Sequence, residues 1–165
     1  MGEIKNIPVI SDEKVDINRA AISHRATWMA LTYEAAKEEG ADGEAFARKA
    51  IAKTGQLQGA SIKAGCNPDD VATFRAAFLS DVVEKTFEME VKTADEDCLE
   101  IDFHYCPLVA GWLKAGVPAK DIPALCDMAM DGDRNIAAVM GYEFHLGKTI
   151  AGGDDICEVC FCKRK

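Results

Sequence analysis

The chain has no apolar run of 18 residues, which excludes a conventional membrane-spanning helix. Its opening stretch, MGEIKNIPVISDEK, has no basic region leading into an apolar core, so a secretory signal is not expected. The sixth residue is Asn6 where a myristoylation motif needs Ser or Thr. Positive charge is also short: the formal net charge is −9. A surface without a basic patch does not suit the phosphates of nucleic acid or the face of an anionic membrane. Low-complexity segments and obvious linkers are missing too. The expectation is a cytoplasmic protein with a small-molecule partner, no nucleic-acid or membrane partner, and no cofactor.

What is present fits one domain. The 165 residues are 48% hydrophobic and 28% charged, ordinary for a globular chain long enough to bury a core. Residues of about 12–80 read as helical, and about 81–163 as a mixture of sheet and helix. Over 12–39, Ile17, Ala20, Ala21, His24, Trp28, Leu31 and Ala35 recur at three- and four-residue steps, the period of a long helix, and Gly40 is the stop. A second helix over about 43–64 carries Gly55 and Gly59 four apart, a small-residue face suited to close helix contact or to self-association. In NPDDVATFRAAFLSDVV, Asn67 is the expected cap and Pro68 the first helical residue.

From residue 86 the period changes to two. TFEMEVK and CLEIDFHYC alternate and are joined by ADED, predicting a hairpin. Pro107 opens a short helix ended by Gly116, and 121–140 predicts one further helix. YEFHLGKTI and ICEVCFCK, joined by AGGDD, form a second hairpin. The predicted fold is α+β: a helical N-terminal half, then a four-stranded antiparallel sheet of two hairpins packed against helices on one face.

Seven cysteines, an odd number, without an export signal predict free thiols in a reducing compartment. Three of them crowd the closing stretch, DDICEVCFCK. On a strand, Cys157 shares a face with Val159 and Phe161, whereas Cys160 and Cys162 share the other with Glu158. Cys157 and Cys160 then point apart, so CEVC is not a chelating or redox pair, and Cys160 and Cys162 read as ordinary small residues. At the end of the second strand, alternation puts His104 beside Cys106, where an imidazole can make a thiolate available. Gly152 and Gly153 can present backbone amides to an oxygen, with Asp154 next to them. The helix ALCDMAMDGDRN supplies Cys126, Asp131, Asp133 and Arg134, and Gly132 within it suggests a kink or a close approach.

Taken together, FHYCPLVAGWLKAG, ALCDMAMDGD and GKTIAGGDDICEVCF resemble the L-2-amino-thiazoline-4-carboxylic acid hydrolase family, over about residues 98–161. The resemblance rests on Cys106, Leu125 with Cys126, Asp131 or Asp133, Lys148 with Thr149, Gly153 with Asp154, and Cys157 before Glu158 and Phe161. It implies hydrolytic opening of a cyclic amidine at a C–N or C–S bond. Chemically, Cys106 or Cys157 is a candidate nucleophile, His104 a candidate acid–base and Asp154 or Asp131 a carboxylate for the amidinium. Lys148, Arg134 or the Gly152–Gly153 turn suits the substrate carboxylate. Direct attack by water, with cysteines only lining the site, suits the same residues. A binding protein on this scaffold and a metal-dependent hydrolase, with ligands among His104, Cys106, Cys126, Asp154 and Cys157, are the other readings.

Overall fold

A computed structural model describes residues 4–164. Asp12 accepts from the backbone N–H groups of Lys14 and Val15 and starts α1 (Glu13–Glu38); Asp42 starts α2 (Gly43–Ala64) in the same way. Then follow α3 (Val71–Phe78), α4 (Asp81–Phe87), β1 (Met89–Ala94), β2 (Cys98–Phe103), α5 (Pro107–Lys114), α6 (Ile122–Ala129), α7 (Asp131–Met140), β3 (Tyr142–Leu146) and β4 (Cys157–Lys163). A single 3-10 turn, Ile150–Gly152, lies between the last two strands. The strands form one antiparallel sheet in the order β1-β2-β4-β3, so the two hairpins meet through β2 and β4. The expected α+β architecture is the one observed.

Two cores lie on the inner side of this sheet. Its inner face, Leu99, Ile101, Val159 and Phe161, packs with Val71 and Phe74 of α3 and with Ile136 and Met140 of α7. The second core joins α1, α5 and α6 around Trp112, Val109, Ala26, Ala30 and Leu125, and it includes Cys106, Cys126 and Cys157. Among the described residues, no helix is long and apolar enough to cross a membrane.

The expected long helix is observed as α1, but its large apolar residues do not mark its inward face. Ile17, Trp28 and Leu31 are 65%, 68% and 51% exposed, whereas Val15, Arg19, Ala26 and Ala30 are buried. The cause lies on α5. Trp112 donates its indole N–H to the carbonyl of Ala26 at 3.0 Å, and a side chain at Gly111 would meet Ser23 and Ala26. Only small residues on α1 permit that approach, so its large apolar residues face outward.

Other boundaries shift for identifiable reasons. Asp70, not Asn67, caps α3, while Asn67 accepts from the Asp69 amide; a second cap at Ser80 splits the predicted helix in two. Phe87 ends α4 rather than starting a strand, because Glu88 takes a left-handed conformation at φ 52°. That conformation puts the Glu88 carboxylate where it accepts from the amides of Val9 and Ile10 and from the Arg19 guanidinium. The predicted helix over 121–140 breaks at Met130. There α7 crosses under α2 so closely that a side chain at Gly55 would collide with the backbone of Gly132, and one at Gly59 with Val139. The paired glycines of α2 thus serve a contact within the chain.

The cysteines also depart from the all-thiol expectation. Cys98 and Cys162 stand opposite each other on β2 and β4 and are joined by a disulfide. Cys66, Cys106, Cys126, Cys157 and Cys160 are free.

Candidate functional site

β2 ends at Phe103, and alternation ends with it. The amides of His104 and Tyr105 both donate to the α4 end, to the carbonyls of Glu88 and Phe87. Asn6 then holds Cys106 through both of its backbone groups: it accepts from the Cys106 amide and donates to the Cys106 carbonyl, each at 2.8 Å. Cys106 becomes the residue before Pro107 at the start of α5, with its side chain in the second core. The expected His104–Cys106 pair is therefore not formed. His104 lies 3.3 Å from the Glu90 carboxylate and borders a shallow depression of about 300 Å³ beside Val9, Lys85 and Met89.

Three predicted cysteines do come together: Cys106, Cys126 from α6 and Cys157 from β4 belong to one core. Burial pushes the Cys106 thiol up, against the amides of Val109 and Leu108 at the start of α5, which favour the thiolate. Burial likewise raises Cys126, and a charge on Cys106 or Cys157 would raise it further. Cys157 is pushed up to about 12 by burial first and then by Cys106, while the Ile150 amide, donating to its sulfur at 3.3 Å, opposes the rise. At neutral pH the three are protonated thiols, forming a soft, weakly polar wall.

Asp133 stands beside that wall. It lies in the first turn of α7, half-buried, and removal from water raises its carboxyl from 3.8 to about 6. Its own backbone amide and the charges of Arg25 and Arg134 act against the rise. The charges of Asp133 and Arg25 are both felt by Cys106. Among the described residues, the Asp133 side chain makes no ion pair, and neither does the exposed Arg25 of α1. The result is a carboxylate under the influence of a guanidinium it does not bind, beside Cys106 and Cys126 of the thiol cluster.

The other predicted residues are engaged in holding the fold. Arg134 binds Asp127 and Asp131, and Arg48 of α2 binds the same two carboxylates, so this cluster ties α2 to the α6–α7 break. The arginines hold Asp127 below the usual carboxylate range, Arg48 contributing most. Lys148 pairs with Glu158 at 2.9 Å. Asp154 accepts from the Thr149 amide at 3.0 Å, while Thr149 accepts from the Asp154 and Gly152 amides; the loop is thereby closed, with Gly153 at φ 97°. This clasp carries the 3-10 turn onto Cys157. Arg25 has no motif around it in the sequence; only the packing of α1 against α5 brings it to this place.

Fold and site together define a small α+β protein with a carboxylate set against a thiol-lined core. The family model for L-2-amino-thiazoline-4-carboxylic acid hydrolase matches residues 19–161, well beyond the resemblance over 98–161, and the chain belongs to that family. No curated protein and no solved structure matches it.

Proposed function

We propose that this protein hydrolyses a small cyclic amidine bearing a carboxylate, of the 2-amino-thiazoline-4-carboxylate type, with water as the nucleophile and Asp133 as the base. The observation that carries this reading is the unpaired Asp133 beside Cys106 and Cys126, its carboxyl raised to about 6. A base titrating there is ionised at neutral pH and still able to hand its proton on. Arg25 supplies the cation for the substrate carboxylate, and Asp133 faces the amidine end. The Cys106, Cys126 and Cys157 sulfurs flank the ring sulfur.

In the reaction, the water oxygen bonds to the ring carbon between nitrogen and sulfur, and Asp133 takes one water proton. The carbon–sulfur bond then breaks with its electron pair on sulfur, which receives that proton from Asp133. The substrate reacts as its amidinium, whose ring nitrogen already carries a proton, so the hydroxyl of the adduct gives its proton to solvent as the carbonyl forms and the positive charge is discharged. The products are a ureido group and a free thiol. The three thiols are not nucleophiles in this scheme, in keeping with their raised pKa values.

The test is turnover of 2-amino-thiazoline-4-carboxylate, followed by chromatography of the ring-opened product. Asp133→Asn should lower kcat by about 100-fold or more. Cys106→Ser should keep most of the activity. Full activity in Asp133→Asn, or its complete loss in Cys106→Ser, would overturn the water mechanism in favour of a thiol adduct. Binding without turnover in the wild-type protein would make it a small-molecule binding protein.

A further inference from the structure

A second sulfur cluster lies on the opposite face of the sheet, and the proposed hydrolysis does not use it. Alternation along β4 turns Cys160 and Cys162 to this outer face, and β2 sets Cys98 directly opposite Cys162. The sulfur of Cys160 lies 3.2 Å from that of Cys162, and the three sulfurs all fall within 4.8 Å of one another. All three residues are half-buried. Among the described residues, no other group of three His, Cys, Asp or Glu side chains converges as closely. On the other side of β4, His145 of β3 is the register partner of Cys160, so its imidazole projects from the same face.

We propose that Cys98, Cys160 and Cys162, once reduced, form a thiolate site for a d10 metal ion such as zinc, with His145 as the fourth ligand. Three sulfurs and one imidazole are a tetrahedral donor set, and zinc binds thiolate sulfur at about 2.3 Å, so its sulfur ligands must stand close together. Here β2 and β4 hold the three sulfurs together before any ion arrives, while His145 of β3, whose Nε2 lies 3.7 Å from the Glu143 carboxylate, turns toward them to complete the set. Glu100 faces Cys160 and Glu143 faces Cys162 across the ladders, which gives this face a field that draws cations. Glu100 is itself held by the Thr93 hydroxyl, which donates to it, so it acts through charge rather than as a ligand.

The Cys98–Cys162 disulfide is the metal-free partner of this state. A dithiol reductant opens it, giving two electrons and two protons to the pair and closing into its own disulfide. The incoming ion then displaces one proton from each of the three thiols. Disulfide and metal connect the same two strands, so the sheet keeps its register in either state. Neither state depends on the hydrolase reading.

The experiment uses full-length protein reduced with a dithiol, desalted without oxygen, and titrated with zinc against a chromophoric chelator. Cobalt serves as the spectroscopic probe. The expected result is about one ion per chain with Kd below about 1 µM, and a cobalt spectrum with sulfur charge-transfer and tetrahedral bands. Cys160→Ser and Cys162→Ser should each weaken binding at least about 10-fold, and His145→Ala, on an exposed position that does not threaten folding, by a similar factor. Cys66→Ser and Cys106→Ser should leave it unchanged. Unaltered affinity in Cys160→Ser, loss of binding in Cys106→Ser, or no binding by the reduced wild-type chain would overturn the site. Unaltered affinity in His145→Ala would overturn the fourth ligand.

Discussion

The charge of Arg25 on α1 acts on the Asp133 carboxyl of α7, yet among the described residues the two form no ion pair. Arg25 pulls the Asp133 carboxyl down while burial pushes it up, and the balance leaves it at about 6. Two opposite charges held apart in this way suit a ligand that carries both signs itself.

Arg25→Ala should therefore act on binding more than on chemistry. With the guanidinium gone, KM for the amino-thiazoline carboxylate should rise about 10-fold, the worth of one exposed charged hydrogen bond. The acid limb of the pH–rate profile should also move above about 6, because Arg25 is one of the groups holding Asp133 down. Steady-state kinetics across pH 5–8 read both effects.

Asp133→Asn should stabilise the fold near neutrality while it lowers activity. The folded carboxyl titrates at about 6 against an ordinary 3.8, so the folded chain holds that proton more tightly. Its favourable contribution is complete below 3.8 and is lost as pH rises through 6. The variant should lack this fall and gain about 1–2 kcal/mol at pH 7, allowing for partial solvent screening. Urea unfolding at pH 5 and pH 7 shows it as a difference that grows with pH.

Arg19 is the buried centre of the N-terminal half. Its guanidinium donates to the carbonyls of Thr86, Ile10 and Lys85 and to the Glu88 carboxylate at 2.8 Å, with both side chains less than a tenth exposed. Arg19→Met leaves Glu88 buried without its counter-ion and should cost about 3–5 kcal/mol in urea unfolding. A cost below about 1 kcal/mol would mean that the Val9 and Ile10 amides alone satisfy Glu88.

Gly55→Ala tests the α2–α7 contact. The added methyl meets the Gly132 backbone, which cannot rotate away as a side chain can. A loss of about 1–3 kcal/mol is expected from such overpacking. Because α7 carries Asp133, kcat should fall with it, whereas an alanine at Gly65, at φ −102° with only the Ile62 carbonyl near it at 3.5 Å, should leave kcat unchanged.

The sheet was legible in the sequence because alternation is a local property. Leu99, Ile101, Val159 and Phe161 announce the inner face, and the same rule separates Cys157 from Cys160 and Cys162. The rule fails where a distant residue intervenes. Asn6 clamps Cys106 and removes it from His104, a contact spanning 100 residues with no local trace. The inward face of α1 is hidden in the sequence for the same reason: its apolar period reports a helix, but Gly111 and Trp112 require small partners on the buried side. The Cys98–Cys162 bond depends on β2 lying beside β4, and hairpin patterns do not say which strands of two hairpins meet. Of the candidate site, Cys106, Cys126, Cys157 and Asp133 were visible as residue types, whereas Arg25 was not.

The disulfide divides the chain topologically. Cys98 and Cys162 are 64 residues apart, so the bond closes a covalent ring that contains β2, α5, α6, α7, β3 and nearly all of β4. Asp133 and the three core cysteines belong to the ring; Arg25 belongs to the tail that precedes it. In the unfolded chain a loop of this length is worth about 4 kcal/mol of closure entropy. Oxidation thus favours assembly of one half of the site, while the other half is added only when the N-terminal helices dock against the ring.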